Sequence, residues 1–171
     1  MSAPGAPPPA GPPAPGAAGA DPAAPGPAHP AVPPWYREGL RFRCTQCGNC
    51  CTGDPGFTWV SEGECAALAA RLGIDLAAFR HRYTRSVWRG GVQRVTLLEQ
   101  RGGDCVFYRS GTGCTVYEQR PKQCRTWPFW KRVVESPEDW HEAGLGCPGI
   151  GTGELHGLSE ISASAADDGL S

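Results

Sequence analysis

The chain has 171 residues, a formal net charge of −1 and nine cysteines. That charge predicts no strongly charged partner for the chain as a whole. No apolar run approaches the ~18 residues of a membrane-spanning helix, and an odd cysteine count leaves a thiol outside any disulfide framework.

Residues 1–34 are almost wholly Pro, Ala and Gly and hold 13 of the 18 prolines. Such a segment cannot bury enough apolar surface to offset its ordering entropy. It is expected to be a disordered tail with polyproline II character. The opening run Met1-Ser2-Ala3-Pro4-Gly5-Ala6-Pro7 has no Lys or Arg, and no apolar core follows. A secretory signal is therefore not expected, and the cytoplasm is the expected location. Composition changes at Trp35. Residues 35–153 hold all nine cysteines and suit one small domain. Residues 154–171 read as a polar C-terminal tail with at most one short helix.

Arg41-Phe42-Arg43 leads into Cys44-Thr45-Gln46-Cys47-Gly48-Asn49-Cys50-Cys51, four thiols in eight residues. The two arginines are expected to favour thiolate at Cys44. Thiolate is a soft ligand, and C-x2-C spacing lets one turn present two sulfurs to one metal. The longer C-x2-C-x2-C run holds three corners of a four-iron cluster in bacterial ferredoxins. Adjacent side chains of an extended loop point apart, so Cys50 and Cys51 are expected to serve different centres.

Phe57–Val60 reads as a short strand. Ser61 and Glu64 have capping-box spacing, and a helix follows to Leu72, with Gly73 as its stop. Cys65, Leu68, Ala69 and Leu72 share its apolar face, so Cys65 is read as a core residue rather than a ligand. Asp75 caps a second helix through Leu76, Phe79 and Tyr83, which carries a lone, structural His81. Val92–Leu97 reads as a strand. Cys105–Tyr108 and Cys114–Tyr117 read as two strands joined by a Ser110–Gly113 turn. Pro121 starts a short helix bearing Cys124, and Ser136 caps a later one. Trp127, Pro128, Phe129 and Trp130 are expected to form an apolar lid. His141 and Glu142 are read as an exposed pair.

Four stretches together resemble one family. Cys44-x2-Cys47-Gly48-x-Cys50-Cys51 looks like the signature of the CxxCxxCC cysteine-cluster family, the YkgJ-like zinc- or iron-chelating domain. Cys114-Thr115-Val116-Tyr117-Glu118-Gln119-Arg120-Pro121 resembles its C-x-[IV]-Y-x-x-R-P segment. Cys124-Arg125-Thr126-Trp127-Pro128 resembles its C-R-x-[aromatic]-P segment, and Cys147-Pro148-Gly149 its closing C-P-G. The resemblance spans about residues 42–151. It implies a soluble metal-binding domain. It also keeps a second reading open, an enzyme or enzyme subunit related to the lysine N-methylases of flagellin. This chain has no glycine-rich nucleotide loop after a strand, and no nucleophile–base set stands out.

Setting Cys65 aside leaves eight candidate ligands: Cys44, Cys47, Cys50, Cys51, Cys105, Cys114, Cys124 and Cys147. One partition gives Cys44, Cys47, Cys50 and Cys147 to a first centre, because ferredoxins also close a cluster with a remote Cys-Pro. Cys51, Cys105, Cys114 and Cys124 then form a second centre or stay partly structural. An iron–sulfur (4Fe–4S) cluster is favoured over zinc, since a mononuclear zinc knuckle needs only two sulfurs from such a loop. The partner is thus a metal ion or cluster. Residues 80–132 carry 12 Lys and Arg against three acids, but these arginines read as compensation for thiolates or as solvated charge. A nucleic-acid partner is not expected, and the sequence names no protein partner. The expected fold is α+β, a small irregular domain of short helices and a small antiparallel sheet stapled by metal.

Overall fold

A computed structural model describes residues 33–170. The expected disordered tail falls, up to residue 32, outside the described residues. The first strand, β1 (Leu40–Phe42), is followed by the cysteine loop. Two helices come next, α1 (Glu62–Leu72) and α2 (Leu76–Tyr83), then a hairpin of β2 (Thr84–Arg89) and β3 (Val92–Leu97). A minimal hairpin of β4 (Tyr108–Arg109) and β5 (Gly113–Cys114) leads through a 3₁₀ turn at Tyr117–Gln119 into α3 (Lys122–Thr126). The chain ends in α4 (Pro137–Gly146), β6 (Glu154–His156) and α5 (Leu158–Ala166). The fold is mixed α+β, with short helices and small two-stranded antiparallel sheets, β1–β6, β2–β3 and β4–β5.

Local chemistry accounts for the helix limits. The Ser61 hydroxyl accepts from the Glu64 N–H, and a Glu64 carboxylate oxygen accepts from the Ser61 N–H at 2.9 Å. This reciprocal box satisfies two donors that a helix start leaves open. Gly73 ends α1 in the left-handed region at φ 67°. Asp75 caps α2 by accepting from Ala78 N–H at 2.8 Å, and Ser136 caps α4 by accepting from Asp139 N–H at 3.1 Å.

Three expectations change. Phe57–Val60 is not a full strand; it meets β3 through a single bridge, Trp59 to Thr96. The two cysteine strands shrink to the two-residue pair β4–β5, because Cys105 instead bridges Glu99 and Tyr117 enters the 3₁₀ turn. Residues 154–170, read as a polar tail with at most one short helix, do hold one helix, α5, but it buries Ile161 completely, and β6 pairs with β1 ahead of it.

The apolar residues divide into two cores. One gathers Val60, Cys65, Leu68, Phe79, Leu97, Phe107 and Val116 around α1 and α2. The other gathers Leu40, Phe42, Phe129, Val134 and Ile161 around β1 and α5. Cys65 is 1 % exposed within the first. Among the described residues no helix is long and apolar enough to cross a membrane.

Candidate metal centre

The eight predicted ligand cysteines come from five separate parts of the chain, and hydrogen bonds tie those parts together. The cysteine loop leaves β1 with Arg43 N–H donating to the Gly149 carbonyl at 3.2 Å. Gly149 lies so close to this strand that a Cβ on it would strike the Arg43 carbonyl. The loop then turns tightly, with Cys51 N–H donating to Gly48 O at 2.7 Å. Gly48 is required there twice over. Its φ is +87°, and a Cβ would collide with the Tyr108 ring.

The turn delivers the loop to its partners. Cys105 N–H donates to Cys51 O at 2.7 Å, which fixes Cys105 beside the loop. Cys114 pairs with Tyr108, the residue whose ring covers Gly48. Asn49 Nδ2 donates to Gly146 O at 2.9 Å and so anchors the loop to the end of α4, next to Cys147. Cys124 rides on α3, whose first N–H, at Lys122, donates to Glu64 Oε1 of α1 at 2.5 Å. The buried Gln123 reinforces this joint. Its side chain accepts from Trp59 N–H and donates to Phe57 O, both at 2.8 Å.

The result is one cavity of about 450 Å³ lined by all eight cysteines. It lies between the two cores. Cys105 and Cys114 pack against one, Cys44 and Cys147 against the other. Phe42, Leu97, Phe107, Val116, Trp127 and Trp130 complete much of its wall. Thus the place where the two cores face each other is an open space bordered by sulfur as well as hydrocarbon. Cys65 is not on this wall.

Several details depart from expectation. The Cys50 and Cys51 side chains do not point apart; their sulfurs lie 3.8 Å from each other and border the same cavity. The cause is the Gly48–Cys51 turn, since the rule of alternating side chains holds only for extended backbone. Arg41 donates to Gly153 O at 2.9 Å, on the β1–β6 side. Arg120 lines the cavity, its guanidinium 3.5 Å above the Tyr117 ring, whereas Arg125 pairs with Glu64 at 3.6 Å. Of the expected lid, Trp127 and Trp130 face the cavity while Phe129 joins a core. Glu142 is exposed, as read, but also borders the cavity. The supporting roles of Asn49, Tyr108 and Gln123 were missed. Asn49 was legible only as a polar residue inside the cluster signature, while the other two carry no local pattern.

The electrostatics of the wall are those of a site that wants positive charge. Cys50 is lowered to about 7, chiefly by the hydrogen bond from Cys51, with Arg120 adding attraction. Cys51 is driven far up by that same bond and by burial, then by the charges of Cys50, Cys105 and Cys124. Burial pushes Cys124 up, and Cys105, Cys50 and Cys114 add repulsion. Burial likewise raises Cys105 and Cys114. These thiols cannot all ionise together unless a cation enters between them. Trp127 Nε1 donates to Cys147 Sγ at 3.5 Å, the kind of outer contact that tunes a metal-bound thiolate. Among the described residues no three Cys, His, Asp or Glu side chains already converge on one ion position. The donor set and the space nonetheless fit a thiolate-held metal, because eight soft ligands border a single water-sized-or-larger cavity.

A family model described as "putative zinc- or iron-chelating domain" matches residues 43–148. The chain belongs to the CxxCxxCC family. The matched span includes all eight cavity cysteines and Cys65. No solved structure matches the chain. The CxxCxxCC signature itself supplies Cys44, Cys47, Cys50 and Cys51, and the fold joins these to the other four.

Proposed function

We propose that this CxxCxxCC domain is a one-electron redox module whose cavity thiols hold an iron–sulfur centre of the 4Fe–4S type. The observation that supports it is the meeting of eight cysteines, from five parts of the chain, around one cavity of about 450 Å³. A single zinc ion needs four ligands closed tightly on a point; a cavity of this size and sulfur count suits a polynuclear centre better. In this reading Cys44, Cys47 and Cys50 supply three corners from one loop, and Cys147 supplies the fourth. Cys51, Cys105, Cys114 and Cys124 form a second set of four thiols on the same cavity.

The surroundings suit that role. Apolar side chains on the wall limit solvent and lower the local dielectric, which together with hydrogen bonds to sulfur sets a cluster's potential. Arg120 offsets thiolate charge. Such a centre, when bound, supplies one-electron transfer without needing a substrate pocket of its own. The reading places the chain in the cytoplasm, where thiols stay reduced.

The test is electron paramagnetic resonance on protein purified without oxygen and reduced with dithionite. A cluster signal that disappears in Cys47→Ala is the expected result. A silent, colourless sample would overturn the redox reading.

A further inference from the structure

A second cavity, of about 460 Å³, adjoins the first. Cys50, Cys51 and Cys105 border both, so the two share a thiol wall. Elsewhere the second cavity carries more charge than the first, although Arg132 borders both. Arg89, Arg94 and Arg132 line it, together with Asp54 and Glu99.

These arginines are held by aromatic faces. Phe57 and Trp59 stack at 4.8 Å with 7° between their planes. The Arg89 guanidinium lies 5.3 Å from the Phe57 ring centre, and that of Arg94 lies 4.1 Å from Trp59. Arg132 lies 5.0 Å from Trp130. A guanidinium that lies over an aromatic ring still has N–H groups to give to an oxyanion. Arg94 gives one of these to Leu170 O at 2.7 Å. Arg89 and Arg132 have no carbonyl or carboxylate acceptor among the described residues. Glu99 does not neutralise them, because it pairs with Arg85 at 3.0 Å and accepts from Gly56 N–H at 2.8 Å. Asp54 is the one acid on the wall without a cationic partner.

Two exposed guanidiniums, each over an aromatic ring and without a protein acceptor among the described residues, border a cavity of ligand size and match a molecule bearing carboxylate or phosphate groups. We infer that the second cavity binds a small oxyanion-bearing molecule against the thiol wall of the metal centre. The placement beside that centre rests on the proposed function; the anion site itself rests on the arginines. A ligand held there touches the wall formed by Cys50, Cys51 and Cys105, so its arrival should alter the metal centre's spectrum.

Metal-loaded full-length protein, kept without oxygen and at constant ionic strength, should be titrated with citrate and separately with inorganic phosphate. Tryptophan fluorescence reads binding, since Trp59 and Trp130 border the cavity, and metal content is measured in every sample. Saturation by at least one anion is expected, weakened tenfold or more (about 1.4 kcal/mol) in Arg89→Gln with Arg132→Gln. Arg89→Gln alone borders only the second cavity and should weaken binding with metal content unchanged. Arg37→Gln, an exposed arginine paired with Glu38, should change nothing. Citrate alone saturating identifies a carboxylate ligand, and phosphate alone a phosphoryl one. Failure of both up to about 10 mM, or equal binding by the double variant, would overturn the inference and leave the metal centre standing. Protein that takes up no metal yet binds anion with the same arginine dependence would instead overturn the metal reading and leave the anion site.

Discussion

The sulfurs of Cys50 and Cys51 sit 3.8 Å apart in a turn closed by Cys51 N–H on Gly48 O. The contact between the two sulfurs favours a single anion, which lowers Cys50 to about 7 and raises Cys51. A group lowered on folding stabilises the fold fully above its unfolded value and loses that contribution as pH falls through its folded value. For metal-free protein the window therefore runs from about 9 down to about 7. Alkylation of Cys50 by iodoacetamide, followed by mass spectrometry, should reach half its maximal rate near pH 7. In Cys51→Ala the midpoint should rise. A midpoint near that of an ordinary thiol in the parent chain would show that the pair is not coupled.

Cys65 and Cys47 should respond oppositely to truncation. Cys65 is 1 % exposed on the apolar stripe of α1, while Cys47 lies on the cavity wall. Cys65→Ala should lower stability by about 1 kcal/mol and keep the metal. Cys47→Ala should lose metal. Equal metal loss in both would place Cys65 among the ligands.

Much of this division was legible in the sequence, for a physical reason. A capping box, a glycine stop and a 3.6-residue stripe are local patterns, so α1 and the burial of Cys65 could be read directly. The cysteine spacings were equally local. What could not be read was the relation between distant segments. β1 and β6 are three residues each and pair across more than a hundred positions. β2 carries no clean alternation, since three of its six residues are exposed and none is buried. The approach of Cys51 to Cys50 depends on a turn, which spacing alone does not encode.

Gln123 illustrates the same limit and gives a third prediction. Its amide joins α3 to Trp59 N–H and Phe57 O from a buried position. Gln123→Leu leaves both backbone groups without their partner. The expected loss is about 1–3 kcal/mol, read as a lowered denaturation midpoint, with metal retention weakened because Cys124 is the next residue. An unchanged midpoint would mean that water replaces the amide.

Trp127 offers a test of tuning rather than of binding. Its indole N–H donates to Cys147 Sγ at 3.5 Å. Hydrogen bonds to cluster sulfur stabilise the more negative, reduced state. Trp127→Phe should keep the metal and shift the midpoint potential downward, as measured by redox titration. No shift would remove Cys147 from the centre or Trp127 from its electronic environment.

The redox reading stands or falls on whether thiols of this cavity hold an iron–sulfur centre. The most direct measurement is iron, acid-labile sulfide and zinc per chain in protein purified without oxygen. Brown protein carrying iron and sulfide in equal amounts is expected, as a 4Fe–4S composition requires. Colourless protein with about two zinc ions per chain, eight thiolates shared between four-coordinate sites, would contradict it.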